Sequence, residues 1–409
     1  MKITLIAGAR PNFMKVAPII KAIKAFNGER LAVSGEGISY RLVHTGQHYD
    51  KNMSDTFFEE LGIPAPDVNL GCGGGTQAEQ TAAIMVAFEK ELMAHPADIV
   101  LVVDDVTSTM ACSIVAKKLN TKVCHVEAGI RSWDLTMPEE INRMVTDSLA
   151  DYMFTTSDVA NRNLIRQGAE LVTGDGLQVT GEHILPEDKY ANQRIQQRVW
   201  HVGNVMIDTL LANRARFRKP EVWDELGLKE KEYIVMTMHR PANVDEENHL
   251  RAMMEQIVDN VHGLPVIFPI HPRTAKLLLG ERTAKGLQDA SLQDASKMLQ
   301  ERWPNLHIVE PMGYLEFNYL VERAKAVVTD SGGITEETTV MGVPCITLRD
   351  NTERPETCTV GTNELIGTKP EAIKPALDKL FAGQWKKGAI PELWDGHTAE
   401  RIISVLADL

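Results

Sequence analysis

The chain is expected to fold as α/β, with two Rossmann-like, doubly wound domains and an interdomain cleft, and three observations lead there. Its 409 residues exceed the usual size of one hydrophobic core. Short apolar runs alternate with amphipathic stretches of helical period, the mark of βαβ units around a parallel sheet. The alternation lapses in a polar stretch before residue 200 and then restarts, so the pattern is made twice.

The strands of the first half are read in order as KITLIAG, YRLVHTG, DIVLVVDD, TKVCHVEAG and DYMFTTS. Those of the second half are YIVMTMHR, LPVIFPIHP, LHIVEP, AKAVVTDSGG and VPCITLRD. Near-continuous apolar runs of this length suit strands buried on both faces. Residues 168–197 are crowded with Gly, Asp, Glu and Gln and read as an insertion beside the interdomain linker. GLQDASLQDASK contains LQDAS twice and reads as a local duplication on a surface helix. The closing HTAERIISVLADL has the pattern of an amphipathic helix.

Composition narrows the function classes. Hydrophobic residues at 44% and charged residues at 24% place the chain among ordinary globular proteins. A formal net charge of −13 argues against a nucleic-acid partner, which needs a clustered basic surface. Met1 runs directly into an apolar strand, without a leader or a membrane-spanning run, so the expectation is a cytoplasmic protein with no membrane partner. Cys72, Cys112, Cys124, Cys345 and Cys358 are scattered and odd in number, and read as reduced thiols.

In open α/β sheets ligands collect beyond the carboxyl ends of the strands, so residues just after the apolar runs are the functional candidates. The turn TDSGGITEE puts Ser331, Gly332 and Gly333 between a strand and a helix, leaving backbone N–H groups at the positive helix end for a phosphate. One turn later Glu336 and Glu337 can accept hydrogen bonds from ribose hydroxyls, or simply complement the helix dipole. Arg349 and Arg354 of RDNTERPE carry the forked guanidinium that suits a diphosphate; a solvated surface arginine is the plainer reading. Arg10 and Lys15 of GARPNFMK can serve the same end from the first domain.

The first domain also gathers carboxylates at its ligand edge: Asp105, Glu127, and the pair Glu139 and Glu140. Acidic groups beside an anionic ligand are costly unless they move protons or bind sugar hydroxyls. For Glu139 and Glu140 a helix N-terminus opened by Pro138 is the competing explanation. His239 and His271 end strands of the second domain, where an imidazole can meet phosphate or act as an acid. His44 and His48 have metal-like spacing only if helical, and HTGQHYD reads as strand into loop, so no metal is expected.

Taken in order, GARPNFMK, HTGQHYD, HVEAGIRSWDLTMPEEINR, HVGNVMIDTL, HRPANVD, SGGITEE and RDNTERPE closely resemble the non-hydrolysing UDP-N-acetylglucosamine 2-epimerase family across nearly the whole chain. The resemblance implies a GT-B-like fold. The N-terminal domain would span 1–200 and be completed by the C-terminal helix at 393–409, with a UDP-binding domain at 201–392. It implies catalytic roles for Asp105, Glu127, Glu139 and His239. It implies substrate contacts from Arg10, Lys15, Phe317, Ser331, Gly332, Gly333, Glu337 and Arg354. It also implies a homodimer, no cofactor, and a place in cell-surface polysaccharide biosynthesis.

The implied chemistry is inversion at carbon 2 of a UDP-N-acetylhexosamine, UDP-GlcNAc to UDP-ManNAc, by loss and re-addition of UDP through a 2-acetamidoglucal. Proton-transfer groups on both faces of the sugar and a firm hold on UDP are what that needs. Three features depart from the family. Asp104-Asp105 stands where Gly-Asp is usual, which raises the question of a positive φ at Asp104 and of a charge that disfavours ionisation of Asp105. NLGCGGGTQAEQT lacks the basic residue of members that bind a second, activating UDP-sugar, although Gln47 and His48 remain. Residues 168–197 are longer than the family norm. The rival readings are the same inversion on UDP-2,3-diacetamido-glucuronate, a hydrolysing 2-epimerase, a GT-B glycosyltransferase, and an inactive UDP-sugar sensor.

Overall fold

A computed structural model of the protein describes residues 1–30, 37–46, 61–173, 176–178, 197–244, 246–270 and 299–409. They fall into two units, Met1–Ala212 with Glu392–Leu409, and Asn213–Pro391.

The first unit runs β1 (Lys2–Ala7), α1 (Arg10–Arg30), β2 (Ser39–His44), β3 (Val68–Asn69), α2 (Gln77–Ala94), β4 (Ile99–Val103), α3 (Thr107–Lys118), β5 (Lys122–Val126) and α4 (Pro138–Leu149). It continues through β6 (Tyr152–Thr155), α5 (Asp158–Ile165), β7 (Glu170–Thr173), β8 (Gly176–Gln178), β9 (Arg198–His201) and α6 (Val205–Arg214), whose end passes the unit boundary. Among the described residues the sheet has nine strands in the order β3-β2-β1-β4-β5-β6-β9-β7-β8. Every pairing is parallel except the antiparallel β7–β8 hairpin. Chain order reverses between β1 and β4, which opens a switch point at their carboxyl ends.

Ile99 to Val103 of β4 are all buried, as a central parallel strand covered on both faces must be. On one face Val100, Val102 and Val123 pack with Ile84, Phe88 and Leu92 of α2 and with Cys112 and Val115 of α3. Burying a side chain such as Phe88 contributes roughly 2 kcal/mol. Helix α2 starts at a capping box: Thr76 Oγ1 accepts from the Glu79 amide at 3.3 Å, and Glu79 Oε2 accepts from the Thr76 amide at 2.8 Å.

The second unit holds α7 (Glu221–Glu225), β10 (Ile234–Thr237), α8 (Pro241–Val244), α9 (Glu247–Asn260), β11 (Val266–Pro269), β12 (Leu306–Val309), α10 (Tyr314–Arg323) and β13 (Ala326–Thr329). It ends with α11 (Gly332–Met341), β14 (Cys345–Thr347), α12 (Pro355–Thr359), β15 (Asn363–Leu365) and α13 (Ile373–Phe381). Its parallel sheet has the order β12-β11-β10-β13-β14-β15, with the switch point between β10 and β13. Ile234, Met236 and Phe268 face Leu250, Met253 and Ile257 of α9, while Val235, Ile267 and Val327 face Leu320 and Val321 of α10.

The last helix, α14 (Thr398–Ala407), belongs to the first unit and packs on α1. Asp208 of α6 caps it by accepting from the Thr398 and Ala399 amides at 3.1 and 2.7 Å. Trp394 Nε1 donates to the Thr156 carbonyl at 2.9 Å. The crossing depends on Gly203 of HVGNVMID, which has φ +103°, and a Cβ there would lie 2.1 Å from the Leu393 carbonyl oxygen.

Each apolar run read from the sequence forms a strand. The short or polar strands β3, β7, β8, β9 and β15 were not foreseen. Most of 168–197 and the LQDAS duplication lie outside the described residues. Cys72, Cys112, Cys124 and Cys345 are buried free thiols, Cys358 is half-buried, and burial pushes all five up in pKa. Among the described residues no helix is long and apolar enough to cross a membrane.

Candidate functional site

Both switch points carry the residues that the sequence singled out, and each is described within its own unit. In the first, the turn after β1 lies close against the start of α3. A Cβ on Gly8 would come within 2.2 Å of Ser108 Oγ. Asn12 holds the turn open, its Oδ1 accepting from the Gly8 and Ala9 amides at 2.9 and 3.0 Å. That leaves Lys15 buried on α1, its Nζ 2.8 Å from Glu127 Oε2 and 2.9 Å from Asp104 Oδ2. Lys15, expected at the diphosphate, thus sits between two carboxylates. The side chain of Arg10 lies outside the described residues, as do Gln47, His48 and His271.

Asp104 and Glu127 end β4 and β5 with φ of 66° and 70°, the left-handed region that favours glycine. The backbone conformation that a glycine would relieve is therefore present at Asp104. A buried network fixes it. His125 Nε2 lies 3.0 Å from the Asp104 carbonyl oxygen, and His125 Nδ1 lies 2.6 Å from Asp147 Oδ1. Asp147 Oδ2 takes Arg131 Nη1 at 2.7 Å and the Gly129 amide at 3.0 Å. Burial alone would raise the Asp147 carboxyl, but His125 and Arg131 prevail and hold it below the usual carboxylate range.

Asp105 is the next residue. Its Oδ2 accepts from Arg143 Nε and Nη2 at 3.0 and 2.7 Å, and Asn142 Nδ2 donates to its carbonyl at 2.8 Å. Burial and then the charge of Asp104 push the Asp105 carboxyl up to about 7, against the pull of Arg143 and Lys15. Arg143 also pairs with Glu140, one helical turn back on α4. Glu140 accepts from the Ser132 amide at 2.9 Å, Ser132 Oγ at 3.0 Å and the Trp133 amide at 3.2 Å, so it fastens the 132–133 loop. Glu139 is half-buried, and among the described residues its carboxylate has no hydrogen bond or ion pair. Of the two adjacent glutamates, Glu140 is tied into the structure and Glu139 is not.

In the second unit, Asp330 ends β13 at the switch point and is wholly buried. Its oxygens accept from the His239 amide at 3.1 Å, the Arg240 amide at 2.9 Å and Asn243 Nδ2 at 3.0 Å, and lie 2.8 Å from His239 Nδ1. Burial would raise this carboxyl, and the His239 and Asn243 contacts reverse the shift and hold it low. The His239 side chain is 62% exposed.

Ser331 then precedes α11, which opens with Gly332 and Gly333, and the first-turn N–H groups of a helix have no helical acceptor. On the next turn Glu336 pairs with Arg354, and Glu337 Oε1 accepts from Tyr314 Oη at 2.8 Å. Burial pushes Glu337 up to about 7, only partly offset by the Tyr314 hydrogen bond. Arg349 Nη2 lies 2.7 Å from Glu353. Phe317 lies on α10 against the core of that sheet face.

Sequence reading had missed Arg143, Asp330, Asn12 and the His125–Asp147–Arg131 network. Arg143 stands within the MPEEINR motif itself, and Asp330 directly precedes the SGG turn, which were the available signals.

The profile of the family described as UDP-N-acetylglucosamine 2-epimerase matches residues 32–407. A UDP-N-acetylglucosamine 2-epimerase of Methanocaldococcus jannaschii is 36% identical over 99% of each chain. A UDP-2,3-diacetamido-2,3-dideoxy-D-glucuronate 2-epimerase of Pseudomonas aeruginosa is 35% identical over the full length of both. The crystal structure of the M. jannaschii UDP-GlcNAc 2-epimerase in complex with UDP-GlcNAc and UDP superposes with a TM-score of 0.77, at 35% identity and with both chains fully covered. The two parallel-sheet units thus have the GT-B-like architecture of these enzymes, and the chain belongs to the UDP-N-acetylglucosamine 2-epimerase family.

Proposed function

We propose that the protein inverts carbon 2 of a UDP-N-acetylhexosamine, converting UDP-GlcNAc to UDP-ManNAc and back without hydrolysis. A carboxylate takes the proton from carbon 2 as the bond from carbon 1 to the β-phosphate oxygen breaks. UDP and 2-acetamidoglucal result. UDP then adds back to carbon 1 while a proton reaches carbon 2 on the other face. The observation that carries this reading is the first-unit carboxylate set, in which Arg143 holds Asp105 at 2.7 Å and Lys15 lies between Asp104 and Glu127; burial and Asp104 push the Asp105 carboxyl up to about 7, a value suited to proton transfer.

In this reading Asp105, Glu127 and Glu139 serve the sugar, and His239 serves proton transfer or the leaving phosphate. Arg10, Ser331, Gly332, Gly333, Glu337, Arg354 and Phe317 serve UDP. Lys15 acts through Glu127, which it touches, as much as through the ligand. The working form is a cytoplasmic homodimer, active in cell-surface polysaccharide synthesis.

The test is to incubate the pure protein with UDP-GlcNAc and no acceptor. UDP-ManNAc is the expected product. Free ManNAc with UDP would move the chain to the hydrolysing class, and unchanged substrate would favour a transferase or a sensor. UDP-2,3-diacetamido-glucuronate, the sugar named for the P. aeruginosa relative, should be run beside it and turn over more slowly.

A further inference from the structure

We propose that Asp330 is a positioning residue that fixes His239 in the tautomer with its proton on Nδ1, leaving Nε2 to meet the substrate. The proposal rests on the role given to His239 above. The two side chains come from just beyond neighbouring strands: β10 pairs with β13 in register from Ile234↔Ala326 to Thr237↔Thr329, which brings Asp330 beside the His239 backbone, whose amide donates to it at 3.1 Å. Asp330 Oδ1 lies 2.8 Å from His239 Nδ1. A carboxylate can only accept there, because its other contacts, the His239 and Arg240 amides and Asn243 Nδ2, are all donors. The ring nitrogen must therefore be the donor.

Asp330 is itself immobile. It is wholly buried and tied to two backbone amides and a buried asparagine, whose Nδ2 also donates to the Leu348 carbonyl at 3.1 Å. His239 is the opposite, with most of its ring exposed. A fixed acceptor behind an exposed imidazole sets both its orientation and its tautomer, as a carboxylate does behind a catalytic histidine. Asp330 touches no reacting atom in this scheme, and the same carboxylate fastens the 239–240 backbone through two amides.

The decisive measurement needs no Asp330 variant. In protein labelled with 15N-histidine, with the His239 resonances assigned by their absence in His239→Gln, the neutral ring should show its proton on Nδ1. A neutral ring with its proton on Nε2, or one averaging between the two, would overturn the proposal. Asp330→Asn places an amide among four donors. It should free the tautomer and lower kcat on the order of 100-fold or more, with UDP affinity by calorimetry within about threefold if only positioning is lost. An Asp330→Asn enzyme with near-normal kcat would also overturn it. If His239→Gln itself epimerises at the wild-type rate, the catalytic role of His239 fails, and with it the need for positioning. Loss of activity in His239→Gln with a free tautomer in the wild type would sink the role of Asp330 alone.

Discussion

The ammonium of Lys15 lies 2.9 Å from the carboxylate of Asp104, a residue that holds a left-handed backbone where glycine would be at ease. Lys15 keeps Glu127 as a partner at 2.8 Å whether or not Asp104 is present. Replacing Asp104 by Gly therefore removes backbone strain of about 1 kcal/mol and one of several crowded negative charges, without leaving Lys15 alone. Since the charge of Asp104 is among the causes that raise Asp105, the acidic limb of the pH–rate profile should move to lower pH in Asp104→Gly, with equal or higher turnover. An unchanged profile would mean that the two carboxyls do not share the titration.

Glu139 and Glu140 are neighbours in sequence with opposite expected behaviour. Glu139→Gln should fold normally, bind UDP normally by calorimetry, and lose turnover on the order of 100-fold or more. Glu140→Gln weakens the Arg143 pair and the tie to the Ser132 and Trp133 amides, so thermal unfolding should show a loss of about 1–3 kcal/mol. Near-normal turnover in Glu139→Gln would remove it from the catalytic group.

Arg354 pairs with Glu336 in a buried position, so if Arg354 also holds UDP, as proposed, binding and stability share one side chain. Arg354→Ala removes the guanidinium that pairs with the buried Glu336, a loss of about 3–5 kcal/mol, and on the proposed function it also weakens UDP binding. Adding Glu336→Gln should restore most of the stability and none of the affinity. Recovery of UDP binding in the double variant would show that Arg354 acts only as the partner of Glu336.

The pH dependence of stability at Glu337 has a definite sign. Burial raises its folded value to about 7 from an ordinary 4.5, so the folded chain keeps a proton that the unfolded chain has released. The stability this lends is complete below 4.5 and is lost as pH rises through about 7. Glu337→Gln stays neutral, so its advantage over wild type should grow between those values to on the order of 3 kcal/mol at pH 8. UDP affinity should fall in the same variant. A stability difference that does not change with pH would show that Glu337 is ionised in the folded chain throughout.

How much of this was legible in the sequence depended on whether the signal was local. Strand β4 is apolar through every residue because both faces are covered, and it could be read directly. Asp105, Glu127 and His239 could be singled out because they stand immediately after such runs, where doubly wound sheets put their ligands. The two-residue β3 has too little length to show a period. Asp330 escaped because its meaning lies in His239, 91 residues away, and only the pairing of β10 with β13 brings the two together. Arg143 could have been suspected from its one-turn spacing to Glu140, but its grip on Asp105 crosses from α4 to the end of β4. Lys15 was read as a cation for phosphate, and the chain alone gave no hint of the carboxylates packed around it.

On the proposed mechanism, carbon 2 is inverted by proton exchange with solvent through these carboxylates. This is tested most directly by running the reaction with UDP-GlcNAc in deuterated water and reading carbon 2 by NMR. Deuterium should appear at carbon 2 of UDP-ManNAc, and in recovered UDP-GlcNAc as equilibrium is approached. Epimerised product that keeps its original hydrogen at carbon 2 would contradict the claim.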